Sequence, residues 1–287
     1  MDPTYKTIAD LFAVAQPEEV EIEETDTPRE GRTAEESDAL GRQFLGDGNL
    51  EAALKHFRRA VEQRDPNDPT SMVNLAGALE YGDQAPQALR QYERALRLKA
   101  DSVEPVVGVA DLYKRYGRFR DAIEKLQLAV TKEPENAYLF MKLAETLREA
   151  GSKKQALVEA QNAVLIKPDE SFYHYWIGDQ MIEMGDYENA LGSLRAAIEL
   201  SPGDDHLYLR AAVAFWREGR HVEAIKSVRL ASDLDPAKNL YHGLLGMMLE
   251  ESGQLDEAKL ESDRAKKMDR FDHDLLGRLL DEMGIEL

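Results

Sequence analysis

The sequence predicts an all-α solenoid of seven repeated helix–turn–helix hairpins, closed by a C-terminal capping helix. Three observations predict it. Alanines stand at 53, 88, 122, 156, 190, 224 and 258, once 35 residues apart and then always 34. A glycine stands five residues before six of these alanines, at 48, 117, 151, 185, 219 and 253. The apolar residues between these marks follow the 3.6-residue period of a helix, not the alternation of a strand.

Each mark has a mechanical reason. The glycine ends the first helix of a unit, where a left-handed residue is needed. The second repeat has Asp83 at this place, with Gly82 one residue earlier. A second alanine series, Ala60, Ala95, Ala129, Ala163, Ala197, Ala231 and Ala265, follows the first by seven residues. The two series share a face of the second helix, and their small side chains let neighbouring helices approach. Prolines at 134, 168, 202 and 236, with Pro66 one residue late, stop the second helix and prepare the start of the next. Thr33 with Glu36 reads as a capping box, and Asp68-Pro69 as an N-cap before a first-turn proline. In the third unit Val106, Val109, Ala110 and Tyr113 line one helix, while Phe119, Ala122, Leu126 and Ala129 line its partner.

With these residues the chain resembles the tetratricopeptide repeat family, whose 34-residue unit is a helix–turn–helix of small and large residues in this pattern. Tyr113, Gly117, Phe119, Ala122, Ala129 and Pro134 correspond to Met181, Gly185, Tyr187, Ala190, Ala197 and Pro202 two units later. The units run at about 34–68, 69–102, 103–136, 137–170, 171–204, 205–238 and 239–272. The departures are an extra residue near Gln63–Asp65, Ala100 in place of the second unit's proline, and Arg270 in place of the seventh's. The resemblance implies a right-handed superhelix with a concave groove lined by the first helices. It places groove residues at Tyr138, Met141 and Glu145 in the fourth unit. In the fifth it places Phe172, Tyr175, Asp179, Ile182 and Glu183, and in the sixth Leu209, Val213 and Trp216. These places are expected to face away from the helical core, and their apolar content points to an interaction surface. The groove places of the first three units, among them Arg42, Glu80, Glu104 and Asp111, are polar and mixed in sign. The paired cations of a chaperone-tail clamp are missing, since Asp38, Arg42, Val73, Gly77, Val107, Asp111, Met141 and Glu145 hold those places.

Two segments flank the array. Residues 1–32 form an acidic leader, expected to be a flexible tether because Pro17 to Pro28 carries six carboxylates and no cation. A short amphipathic segment at 4–15, with Ile8, Leu11 and Phe12 at helical spacing, reads as a docking motif, a ligand for the protein's own groove or a frayed end. At the other end, 273–287 begins an eighth first helix, with Leu275, Leu276, Leu279, Leu280 and Met283 in one stripe. It is expected to cap the array. The alternative is a homodimer through that helix.

Composition narrows the function classes. Asp and Glu number 55 against 36 Lys and Arg, a net charge of −19, which argues against nucleic acid and anionic membrane surfaces. Without cysteine, disulfides and thiolate chemistry are excluded. No secretory signal or spanning stretch is visible, so a cytoplasmic location is expected. The six histidines form no metal-binding pair, and no phosphate loop follows a strand; neither enzymatic activity, cofactor nor metal is expected. The expected function is a protein-binding adaptor or assembly scaffold. Its partner would be another protein or peptide with apolar anchors and some positive charge, drawn to Glu145, Asp179 and Glu183. The alternative is a self-associating structural protein whose N-terminal segment fills its own groove.

Overall fold

A computed structural model describes residues 33–64, 68–99, 102–267 and 273–285. The leader, with its segment at 4–15, and Pro66 and Arg270 lie outside the described residues. Two compact units divide the chain, the first ending at Ser152 and the second beginning at Lys153. The first holds α1 (Ala34–Gly46), α2 (Leu50–Gln63), α3 (Thr70–Tyr81), α4 (Ala85–Leu98), α5 (Val103–Arg115), α6 (Phe119–Lys132) and α7 (Ala137–Glu149). The second holds α8 (Lys153–Ile166), α9 (Ser171–Glu183), α10 (Tyr187–Leu200), α11 (Asp205–Arg217), α12 (His221–Leu234), α13 (Asn239–Glu251), α14 (Leu255–Lys267) and α15 (His273–Met283). Among the described residues there is no strand.

The helices begin and end where local chemistry tells them to. Thr33 Oγ1 accepts from the Glu36 amide at 3.2 Å, and the Thr33 amide donates to the Glu36 carboxylate at 2.9 Å. Asp68 accepts from the Thr70 amide at 2.9 Å, but Pro69 itself stands at the N-cap place of α3, one residue later than expected. At the end of α1, Gly48 takes φ 75° and the Asn49 amide reaches back to the Phe44 carbonyl at 2.8 Å. This pairing closes the open carbonyls of a helix end. The second unit of the repeat makes the same bond, Gln84 to Leu79, without glycine: Asp83 itself takes φ 57°, while Gly82 stays at −82°.

Packing follows from the small residues. Every alanine of both series is buried. At Gly41 an added Cβ would stand 2.6 Å from the Phe57 ring, so glycine is what lets α1 and α2 close on each other. In the first unit Leu54, Phe57, Leu75, Leu79, Leu89, Tyr92 and Leu112 share one core. In the second, one core runs from Leu194 through Val228, Tyr241, Leu244 and Met248 to Leu280. Within it α15 packs on α11 and α13, the first helices of the sixth and seventh repeats. Its stripe of Leu276, Leu279, Leu280 and Met283 is thus consumed inside the chain, and Leu275 packs at the margin of the same core.

Candidate functional site

The first helices α1, α3, α5 and α7 of the first unit contribute to a hollow of about 850 Å³. It opens in the part of the array whose groove places read as polar. Gly77 and Gly108 stand in its wall. A Cβ at Gly108 would sit 2.3 Å from the Tyr92 ring, so the ring lies flush against α5 only because glycine is there. Tyr92 donates to Glu80 at 3.2 Å, and Arg115 pairs with Glu80 at 3.3 Å. Burial pushes the Glu80 carboxyl up, against the pull of Arg115. On the same side Lys142 reaches Asp111 at 3.1 Å; burial alone would lower the amine, and Asp111 outweighs it and holds it above its ordinary value. Asn74 also lines the hollow, and its Nδ2 has no acceptor among the described residues.

Of the expected groove residues in this unit, Tyr138 lines the hollow with 48% of its surface exposed. Glu145 is partly exposed, 4.0 Å from Lys142. Met141 is buried, which corrects the expectation that it faces away from the core.

In the second unit α9 carries an aromatic ledge. Phe172 is 48% exposed, its ring centroid 6.2 Å from that of Tyr175, and the Tyr175 hydroxyl meets His206 Nε2 at 3.2 Å. Beside the ledge Asp179 pairs with Arg210 at 2.6 Å, and Glu183 pairs with Lys153 at 3.0 Å. Burial, with Glu183 and Glu282 close by, pushes the Asp179 carboxyl up against the attraction of Arg210. One guanidinium therefore serves two carboxylates, because Arg210 also holds Glu282 of α15 at 2.8 Å through both of its terminal nitrogens.

The remaining expected groove residues, Ile182, Leu209, Val213 and Trp216, are buried rather than turned outward. They belong to the core that includes Leu276, Leu279, Leu280 and Met283, and α15 packs on α11, which carries three of them. Trp216 also stacks on His221 with ring centroids 4.1 Å apart. Sequence reasoning missed Arg210, which sits between two groove places, and Glu282, 72 residues away. A separation of that length leaves no local signal.

Family models described as tetratricopeptide repeat match residues 39–103, 110–171 and 181–248. The chain belongs to the tetratricopeptide repeat family. Solved structures of similar fold include a tetratricopeptide repeat protein from Parabacteroides merdae. It is 16% identical over 88% of this chain and 100% of that one, with a TM-score of 0.59. YrrB, described as a tetratricopeptide repeat protein with an unusual peptide-binding site, is 24% identical over 63% of this chain and 92% of its own, with a TM-score of 0.50. MamA is 21% identical over 55% and 93%, with a TM-score of 0.52. At these identities the likeness is one of fold. No curated protein matches this chain. Tetratricopeptide repeat proteins are in general non-catalytic adaptors that hold other proteins. Among the described residues of this one, no three or more acidic or histidine side chains gather as a metal site. No described helix is long and apolar enough to cross a membrane.

Proposed function

We propose that the protein is a scaffold that holds a partner polypeptide against its first helices and does no chemistry of its own. The observation that carries this reading is the open hollow of about 850 Å³ on the first helices of the first unit, walled by unlike charges and by Tyr138. An extended peptide has alternating amide dipoles and side chains, and a wall of mixed charge with one aromatic anchor suits it. YrrB, of the same fold, carries a peptide-binding site by its own description, which supports the reading. The second unit offers a separate place, the ledge of Phe172 and Tyr175, for an apolar anchor. Beside it Asp179 and Glu183, paired with Arg210 and Lys153, are carboxylates within reach of a partner's Lys or Arg.

Trp216, being buried, is unsuited to a test of surface contact. The test is a Phe172→Ala/Tyr175→Ala variant and a separate Tyr138→Ala variant, both checked for unchanged helicity. Each is titrated against a partner identified by affinity capture on the intact protein. Exposed aromatic anchors contribute about 1–2 kcal/mol each at protein interfaces. At least one variant is expected to lose roughly tenfold or more in affinity. Full affinity in both overturns the proposed face.

A further inference from the structure

The place of α15 carries an inference about what the second unit binds. This helix lies on the first helices α11 and α13, with its apolar stripe in their core. It ends in polar contacts that read both its side chain and its backbone. Arg210 takes the Glu282 carboxylate in a fork at 2.8 Å, and Arg217 donates to the Glu282 carbonyl at 2.9 Å, where the helix leaves its carbonyls open. Arg210 is buried, so without a carboxylate from above it would keep only Asp179. A helix of 11 residues with Gly277 at its middle is marginal alone, so α15 is helical because it is docked.

We propose that the face of α11 and α13 is a docking site for acidic amphipathic helices, occupied in cis by α15, so that a partner helix binds it in competition with α15. The ligand pattern is written in α15: apolar residues at i, i+3, i+4 and i+7, from Leu276 to Met283, with a carboxylate at i+6, Glu282, for Arg210. This rests on the reading of the first helices as a polypeptide-binding surface, and adds the ligand class and its internal competitor.

The probe is a synthetic peptide of residues 273–285 carrying a fluorophore, read by anisotropy against the full-length protein. Two full-length variants undock α15: Leu280→Glu, which places a charge in the core, and Glu282→Arg, which sets a third guanidinium beside Arg210 and Arg217. A site filled in cis nine parts in ten has its apparent affinity reduced about tenfold. Both variants, still helical, are expected to bind the peptide at least tenfold tighter than wild type, and a peptide with E282Q more weakly than the native one. Equal affinity in wild type and in either helical variant overturns the proposal.

Hydrogen exchange on the wild type checks the independent opening that the competition requires. Amides of α15 should exchange faster than those of α11 and α13, because α15 opens alone. Exchange of all three as one unit overturns it. Failure here, with partner affinity still lost in Phe172→Ala/Tyr175→Ala, rejects the competitor and leaves the scaffold reading standing; unchanged partner affinity with peptide binding intact does the reverse.

Discussion

Asp83 holds a backbone conformation that costs an L-residue about 1–2 kcal/mol, because its Cβ crowds the following carbonyl. Glycine removes that strain and costs about 0.5–1 kcal/mol in lost unfolded-state restriction. The Asp83 ion pair to Arg115 is 3.5 Å long and the carboxylate is 88% exposed, so little is lost with it. Asp83→Gly should therefore stabilise the protein by about 0.5–1 kcal/mol, seen as a higher urea midpoint at unchanged slope. Gly41 is the opposite case. Gly41→Ala drives a methyl into the Phe57 ring and should destabilise by about 1–3 kcal/mol in the same measurement. The replacement of the turn glycine by Asp83 was legible in the sequence as a departure from the pattern. The need for Gly41 and Gly108 was not, since what a Cβ would strike is known only once two helices are in contact.

Between elements, Asp205 ties α11 to α13. It accepts from Lys238 at 2.5 Å and from the hydroxyl of Tyr241, a buried residue of α13. Burial works to raise the Asp205 carboxyl, and the hydrogen bonds from Lys238 and Tyr241 outweigh it and hold it below its ordinary value. A carboxyl lowered by folding stabilises the fold above its unfolded pKa, and that contribution is lost as pH falls through the folded pKa. Asp205→Asn should be destabilised by about 1.5–3 kcal/mol at neutral pH, and the gap to wild type should close as pH falls below 3.8. A pH series of urea melts checks both. At this scale the sequence spoke well for helices and turns, because caps, glycines and the alanine spacing act within a few residues. It spoke poorly for exposure. Leu209, Val213 and Trp216 stand at places expected to face outward, and they are buried in a core that α15, far along the chain, shares. The hollow likewise opened among the first helices whose groove places are polar, where no aromatic cluster marked it.

For the molecule as a whole, two assignments of charge meet in one function. A net charge of −19 repels anionic polymers and favours partners that carry some positive charge. Arg210 and Arg217 are local exceptions, and both are engaged by Glu282. The central claim is that partners are held by the first helices and not by the second. Photo-crosslinking amino acids at Tyr138 of α7 and at Phe172 of α9, each compared with one at Val222 of α12, test it most directly, because these side chains are exposed, at 48%, 48% and 62%. The account predicts a discrete polypeptide adduct from position 138 or 172, and none from 222. An adduct from 222 with nothing at 138 or 172 contradicts it.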